Sequence, residues 1–174
     1  MNYDEKQPIE FSIRDATTYD IAAINEIYNH YVLTCTCTYQ EKTDTIEDRT
    51  EWFNAHGHQH PVIVAQAGTE IVAWASLSPY GSKHSRNAYR FTVEDSVYVR
   101  EDMQGRGVGA ALLDELIKRA KVLKYRSIIA SISADRIASI RLHEKLGFIK
   151  VGHLPEIGFK FDRWLDVVYL QKRL

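Results

Sequence analysis

The strongest constraint on this chain is a glycine-rich run, Gln104-Gly105-Arg106-Gly107-Val108-Gly109. It follows a strand-like stretch at 95–99 and precedes a helix-like stretch that begins at Ala110. Glycines let the backbone turn sharply and approach a ligand closely. The first N–H groups of the following helix then point at an anion, with the helix dipole behind them. Because Arg106 adds a positive charge, the sequence predicts a phosphate-binding turn between a strand and a helix.

Several kinds of phosphate turn must be compared with this run. A Walker A loop needs Gly-Lys followed by Ser or Thr, and the sequence contains no such triplet. For a dinucleotide-binding turn, Gly105, Gly107 and Ala110 fit the glycine pattern. However, the run lies past the middle of the chain, and no acidic residue ends a strand about 20 residues later. That alternative stays open, as does a helix that merely begins with glycines.

The bulk composition is that of one ordinary globular domain, expected to span residues 1–174. Hydrophobic residues make up 45% and charged residues 26% of the sequence, and the formal net charge is −1. We expect no nucleic-acid partner, because no basic stripe is present. We also expect no membrane association and a cytoplasmic location, because no apolar run reaches about 20 residues and the first residues carry no signal-peptide core.

Hydrophobic periodicity predicts the element order β-α-α-β-β-β-α-β-α-β-β, which is an α/β class with a mixed central sheet flanked by helices. Capping boxes at Thr17 and Thr45 are expected to open the first two helices. Residues 34–44 are interpreted as a loop or a short strand. Cys35 and Cys37 alternate there in a β-like way, so we expect two small core residues and no disulfide between them.

Longer motifs resemble one family of enzymes. They are Arg14-Asp15-Ala16, Ile27-Tyr28-Asn29, the segment 92–99, Gln104-x-x-Gly107-x-Gly109, the segment 142–148 and the segment 158–166. Together they resemble the GNAT acetyltransferases and, within them, the phosphinothricin and methionine sulfoximine N-acetyltransferases, over about residues 9–170. The resemblance implies a GNAT fold and a cytoplasmic homodimer. It also implies acetyl transfer from acetyl-coenzyme A to the α-amine of a small amino acid analogue.

The resemblance also implies which residues hold acetyl-coenzyme A. The glycine-rich run would hold the pyrophosphate, and the strand before it would pair with the pantetheine arm. Arg136 stands where relatives commonly have an Asn that contacts the cofactor, and an Arg could still reach its phosphates. The predicted cofactor contacts are Val97, Tyr98, Val99, Gln104, Gly105, Arg106, Gly107, Val108, Gly109, Ala110, Arg136 and Lys145.

Acetyl transfer to an amine requires a base, because a free α-amine is largely ammonium at pH 7. Glu94 is the predicted base, since it begins the central strand four residues before Tyr98 and the resemblance singles it out. An ion pair with Arg90 or a solvent-facing strand position are the alternatives. Backbone N–H groups of the segment 97–99 would stabilise the oxyanion if this strand diverges from its neighbour.

The departing sulfur requires a proton donor, and His143 is the predicted one. It lies three residues from both Ile140 and Leu146, on the inward face of a helix. Most GNAT proteins have a Tyr acid at this position, whereas the resembled subfamily has His. An imidazole titrates near neutral pH and could protonate the thiolate. A core histidine without a catalytic role is the alternative.

The carboxylate of an amino acid substrate requires a cation, and a bidentate Arg suits it. The predicted substrate contacts are Arg86, Asn87, Ala88, Tyr89, Arg90 and Val97, although each Arg could instead be a solvated surface charge. Lys160 and Trp164 belong to the C-terminal motif, which is expected to wall the pocket or support a dimer. Phe159, Phe161 and Trp164 favour a closed pocket over an open peptide groove.

Two other functions remain as alternatives: a protein or peptide N-acetyltransferase, and a non-catalytic acyl-coenzyme A binding module. A metal site is not expected. His56, His58 and His60 are closely spaced, but no Cys or carboxylate stands beside them at ligand spacing. We therefore interpret them as part of a polar loop between a helix and a strand.

Overall fold

The computed structural model describes residues 9–81 and 87–174. Its strands are β1 (Ser12–Asp15), β2 (Val62–Ala67), β3 (Glu70–Pro79), β4 (Thr92–Val99), β5 (Ser127–Ser133), β6 (Ile149–Lys160) and β7 (Arg163–Arg173). Its helices are α1 (Ile21–Thr34), α2 (Ile46–Asn54), α3 (Val108–Val122) and α4 (Ile137–Lys145). The predicted element order and the α/β class are confirmed. No helix in the described ranges is long and apolar enough to cross a membrane.

One mixed sheet holds the strands in the order β1-β2-β3-β4-β5-β7-β6. All neighbouring strands are antiparallel except β4 and β5, which are parallel. In these two strands only Thr92–Glu94 of β4 and Ser127–Ile129 of β5 are paired with each other. Beyond that point β4 follows β3 as far as Val99, and β5 follows β7 as far as Ser133. The strands therefore diverge and leave a V-shaped gap in the middle of the sheet.

Two hydrophobic cores cover the two faces of the sheet. The first lies under α3 and α4 and includes Val93, with Val97 and Val99 packed against it. The second lies under α1 and α2 and includes Trp74, with Tyr98 packed against it. Because side chains alternate along a strand, the neighbours Glu94 and Asp95 project to opposite faces of the sheet.

The local signals for helix starts and ends are largely confirmed. Both capping boxes are present, and Thr45 Oγ1 accepts a hydrogen bond from the Asp48 N–H at 3.1 Å. The helix α3 begins at Val108, two residues earlier than expected, directly after Gly107 in the left-handed region at φ +84°. Gly147, also at φ +84°, follows the end of α4.

The prediction of no disulfide is wrong, because Cys35 and Cys37 are joined in one. Residues 36 and 37 form a turn and not an extended strand. The turn brings the two Cα atoms to 5.3 Å, within the usual range for a disulfide. Cys35 is buried in the second core, as expected. The sequence pattern predicts short C-terminal strands near 148–151 and 165–171, whereas β6 extends to Lys160.

Candidate active site

The gap between β4 and β5 opens into a cleft of about 720 Å³. Its walls are residues 95–99 of β4, residues 130–133 of β5, the glycine-rich run and the first turns of α4. From the N-terminal part of the chain, Tyr31, Cys35 and Cys37 reach it. A volume of this size suits a small-molecule ligand.

The backbone of β4 presents hydrogen-bonding groups to the cleft. The Arg100 N–H donates to the Val72 carbonyl at 2.9 Å, and the Thr92 carbonyl accepts from the Tyr80 N–H at 3.3 Å. Even-numbered residues of β4 therefore direct their polar groups to β3, and odd-numbered residues direct theirs the other way. The N–H groups of Val97 and Val99 thus face the side from which β5 has diverged. Such donors can hold an extended ligand or a developing oxyanion.

The glycine-rich run forms one end of the cleft. Gly105 and Gly107 have φ of +77° and +84°, and a Cβ at either would meet no atom within 4 Å. The space above the run is therefore open, and the first N–H groups of α3 face it, as a bound pyrophosphate would require. Gln104, Gly105, Gly107, Gly109 and Ala110 all line the cleft.

The two other members of the run do not line the cleft. Val108 is buried in the first core. The Arg106 guanidinium lies near the Asp102 carbonyl, at an Nε to oxygen distance of 3.4 Å.

Tyr31 joins this run to the end of β4, a link that the sequence analysis missed. Its hydroxyl donates to the Val99 carbonyl and accepts from Gln104 Nε2, the latter at 2.7 Å. The ring is buried in the second core, which is why the helical pattern of α1 indicated a plain core residue. One hydroxyl thus fixes two walls of the cleft relative to each other.

Glu94 lies on the sheet face that α1 and α2 cover and is half-buried. Burial raises the pKa of its carboxyl group, and the nearby charge of Asp95 raises it further. Among the described residues no ion pair with Arg90 forms, because that guanidinium donates to the Asn87 carbonyl and lies over the Phe91 ring. A carboxylate with a raised pKa is better matched to proton transfer near neutral pH.

His143 lines the cleft on the opposite face, and both of its ring nitrogens are engaged. Nδ1 lies 2.8 Å from the Ser139 carbonyl, which can only accept, so this nitrogen carries a proton. Nε2 lies 3.0 Å from Asp95 Oδ2, and both side chains are almost fully buried. Burial lowers the pKa of His143, but the bond and charge of Asp95 and the Ser139 carbonyl outweigh it, so the pKa is raised.

Asp95 is a site residue that the sequence analysis did not single out. It lines the cleft, and its Oδ1 is buried with no hydrogen-bond partner in the described ranges. A signal was present, because Val93, Asp95 and Val97 alternate on a core-facing edge where an acidic residue is out of place. Its partner lies 48 residues away, and the pattern alone could not name it.

Of the three remaining predicted cofactor residues, two line the cleft and one does not. Arg136 lines the cleft at the start of α4, where its Nη1 lies 3.1 Å from Cys35 Sγ. Tyr98 lines it too, although its ring stacks on Trp74 with centroids 4.8 Å apart. Lys145 is exposed at the end of α4 and does not line the cleft.

Of the predicted substrate residues that the structure describes, only Val97 lines the cleft. Asn87, Ala88 and Tyr89 form a short exposed helical turn just before β4. Arg86 lies outside the described residues. Phe159, Phe161 and Trp164 are all at least half exposed and none lines the cleft, so the argument from them for a closed pocket is wrong.

The histidine-rich loop packs locally. His56 Nδ1 lies 2.7 Å from the Trp52 carbonyl, and its Nε2 lies 3.2 Å from Ser78 Oγ. Within the described part of the chain, no three His, Cys, Asp or Glu side chains are grouped so that they could hold a metal ion. These contacts give the loop a structural role at the end of α2.

With this geometry established, comparison with known proteins gives the family. The model of the acetyltransferase (GNAT) family matches residues 24–148. The chain therefore belongs to the GNAT family, and it is an acetyltransferase with the GNAT fold.

Two relatives match almost the whole chain. The L-methionine sulfoximine/L-methionine sulfone acetyltransferase of Pseudomonas paraeruginosa is 41% identical, over 94% of this chain and 94% of its own. The phosphinothricin N-acetyltransferase of Alcaligenes faecalis is 37% identical, over 94% of this chain and 82% of its own.

Two solved structures are similar to the same extent. A Salmonella typhimurium protein determined with its cofactor acetyl-CoA has a TM-score of 0.90 and 38% identity, and the match covers 94% of each chain. A ribosomal-protein-alanine N-acetyltransferase from Brucella melitensis has a TM-score of 0.90 and 37% identity, over 94% of this chain and 99% of its own.

Proposed function

We propose that this chain, acting as one domain, moves acetyl from acetyl-coenzyme A to the α-amine of a small amino acid analogue. The substrate class is that of methionine sulfoximine, methionine sulfone and phosphinothricin, and transfer is direct within a ternary complex. One observation carries the proposal: the cleft at the divergence of β4 and β5 is lined by the buried Asp95–His143 pair. Glu94 does not line the cleft itself, but it is the next residue along β4 and projects to the other face of the sheet. The names of the relatives support the substrate class.

The reaction would begin with the substrate ammonium losing a proton to Glu94, directly or through one water. The amine nitrogen would then attack the thioester carbonyl carbon and form the C–N bond. The displaced electron pair would move onto the carbonyl oxygen, beside the N–H groups on the cleft edge of β4. When that pair returns, the C–S bond breaks and the sulfur leaves as a thiolate.

The thiolate would take the proton that Asp95 and His143 share, and the pair would be reprotonated from solvent. Glu94 returns its proton to solvent, and the acetylated nitrogen loses its second proton there too. Because the pair takes one proton back, one proton is released overall. A raised pKa suits His143 to this step, because it favours the protonated imidazole that can donate. Because both ring nitrogens are engaged, Nε2 must turn its proton from Asp95 Oδ2 toward the sulfur as the thiolate departs.

The decisive experiment compares kcat/KM for methionine sulfoximine, methionine sulfone, phosphinothricin and peptides with a free N-terminus. We expect the three analogues to exceed every peptide. Initial-rate patterns that intersect when both substrates are varied would support the ternary complex. Parallel patterns, together with an acetylated enzyme trapped without acceptor, would rule out direct transfer.

A peptide N-acetyltransferase is the second candidate, and two observations favour it. A protein of that printed activity is as similar in structure as the others, and no bulky C-terminal aromatic side chain closes the cleft in the single chain. A peptide that begins with alanine is therefore included in the panel. If it gives the highest kcat/KM, the amino acid proposal fails.

We also propose a homodimer. The β6–β7 hairpin exposes seven large apolar side chains: Ile149, Val151, Leu154, Ile157, Phe159, Phe161 and Trp164. An exposed apolar set of this size commonly marks a protein interface. Sedimentation equilibrium should give twice the chain mass of 20.0 kDa. A monomer at every concentration tested would contradict it. The expected cytoplasmic location stays a prediction.

A further inference from the structure

Lys160 is a buried cation that the reaction steps above do not use. Only 2% of its surface is exposed, and burial lowers the pKa of its ammonium group. Its Nζ donates to the Cys35 carbonyl at 2.9 Å and to the Thr38 carbonyl at 2.8 Å. No carboxylate forms an ion pair with it within the described residues. Burial of an ammonium group without an ion pair costs free energy. The two bonds to backbone carbonyl groups offset part of this cost, so we asked what these bonds hold in place.

The turn that presents Lys160 is strained. Lys160 and Arg163 are directly paired at the ends of β6 and β7, and the two residues between them have positive φ. Phe161 is at +54° and Asp162 at +56°, in a tight turn that usually takes Asn and Gly. A bulky Phe in the left-handed region costs free energy, which the surrounding structure must offset. The turn therefore holds both basic side chains at fixed positions.

Both basic side chains act on the same N-terminal segment, residues 35–38. Lys160 binds its two carbonyl groups. Arg163 donates to Asp135 Oδ2 at 2.6 Å, and Asp135 in turn accepts from Thr36 Oγ1 at 2.9 Å. Thr36 and Thr38 are buried although polar, which matches their engagement in this network. The segment is thus positioned by residues about a hundred positions later in the chain.

The segment borders the cleft on the face that the proposed base, Glu94, shares. Cys35 and Cys37 line the cleft and also belong to the second core, with Tyr98. Tyr98 and Glu94 project from β4 to that same face. The segment 35–38 therefore walls the cleft on the sheet face from which Glu94 projects, and in the proposed reaction the acceptor ammonium approaches from this face.

We infer that Lys160 is a positioning residue for the acceptor: it fixes the segment 35–38 and so sets the shape of the acceptor side of the cleft. This inference rests on the proposed function, because it assigns a role at the same site. The consequence is a separation of effects. Loss of Lys160 should weaken use of the acceptor and leave binding of acetyl-coenzyme A unchanged.

The test is K160M, which keeps the length of the side chain and removes its donors. We expect the KM for methionine sulfoximine to rise about tenfold, as the loss of charged hydrogen bonds implies, while the calorimetric affinity for acetyl-coenzyme A stays within about twofold. The matched control is K172M. Lys172 likewise donates to a backbone carbonyl, that of Leu146 at 2.7 Å, but it does not touch the segment. K172M should leave the acceptor KM unchanged.

T36V tests the same segment without disturbing the buried lysine, and it serves if K160M does not fold. It removes the bond to Asp135 and should raise the acceptor KM in the same direction, by a smaller factor. An unchanged acceptor KM in folded K160M or in T36V would overturn the inference and leave the proposed function standing. If the wild-type protein acetylates no amino acid or analogue, the proposed function is wrong, and this inference is wrong with it.

Discussion

Glu94 and Asp95 are neighbouring carboxylates on opposite faces of β4, and they differ in burial and in hydrogen-bond partners. On one face Glu94 is half-buried, and burial alone accounts for most of the rise in its pKa. On the other face the Asp95 side chain is almost fully buried and paired with His143, whose pKa rises because of that partner. The strand backbone separates the two groups. The difference shows how one strand can carry a base and an acid whose proton affinities are raised mainly by different causes.

Removing the base from one face should have the largest effect. E94Q preserves shape but cannot accept a proton, so kcat/KM at pH 7 should fall by about 10³-fold, within the usual range for general bases. The mutant should recover activity as pH rises, because bulk water then supplies neutral amine. In the wild type, the acid limb of kcat/KM should lie above pH 4.3, the ordinary Glu value, because burial raises the pKa.

The matched control for the base is E144Q, which changes an exposed carboxylate on α4. It should keep the wild-type pH–rate profile. An E94Q enzyme whose profile also equals that of the wild type would remove Glu94 from the chemistry.

On the other face, H143F should reduce kcat by about 10²-fold, the lower end of general acid effects. A Phe ring can still meet Phe148, whose centroid lies 4.9 Å from that of His143. Single-turnover kinetics with acceptors of different amine pKa should show that departure of the thiolate has become limiting. Lower thermal stability with unchanged kcat would assign His143 to the core alone.

The glycine-rich run is predicted to hold the cofactor, which both Glu94 and His143 need. A change in the run should therefore affect both steps of the reaction alike. G107A places a Cβ in the left-handed region and over the open cradle, and acetyl-coenzyme A affinity should fall about tenfold. G68A is the matched control, since Gly68 has φ +58° in the β2–β3 turn and equal space around it. Calorimetry should show normal affinity for G68A and a similar loss of stability in both. Equal affinity for the two variants would take the run out of the binding site.

The smallest and most diagnostic change is D95N, which keeps His143 in place but removes its charge partner. We expect kcat to fall by about tenfold or less at pH 7. The alkaline limb of the kcat profile should move to lower pH, because His143 loses the main group that raises its pKa. Histidine NMR should report the same direction of change in the ring pKa.

D95N also predicts how stability depends on pH. A histidine with a raised folded-state pKa stabilises the protein fully below its unfolded value of about 6.5, and that contribution is lost as pH rises through the folded value. The difference in unfolding free energy between wild type and D95N should therefore be larger at pH 6 than at pH 9. A difference that does not change with pH would contradict a shared proton.

Much of the fold and part of the site could be predicted from sequence, because the signals are local. The start of α3 after Gly107 and the strand at Thr92–Val99 depend on neighbouring residues. The Asp95–His143 pair and the Lys160 contacts could not be predicted, because they join residues 48 and more than 120 positions apart. The disulfide was missed for a related reason, since the turn at Cys35 depends on tertiary contacts.

Because β4 and β5 pair over only three residues each, a ligand in the gap beyond them would extend the sheet. Three residue pairs join the two halves of the sheet, and the edge beyond them offers the N–H groups of Val97 and Val99. A ligand that occupies this edge acts as an eighth, non-covalent strand. By mass action it should raise the free energy of unfolding by about 2.7 kcal/mol at a hundred times its dissociation constant. Resistance of the folded chain to proteolysis is thereby coupled to the supply of the acetyl donor.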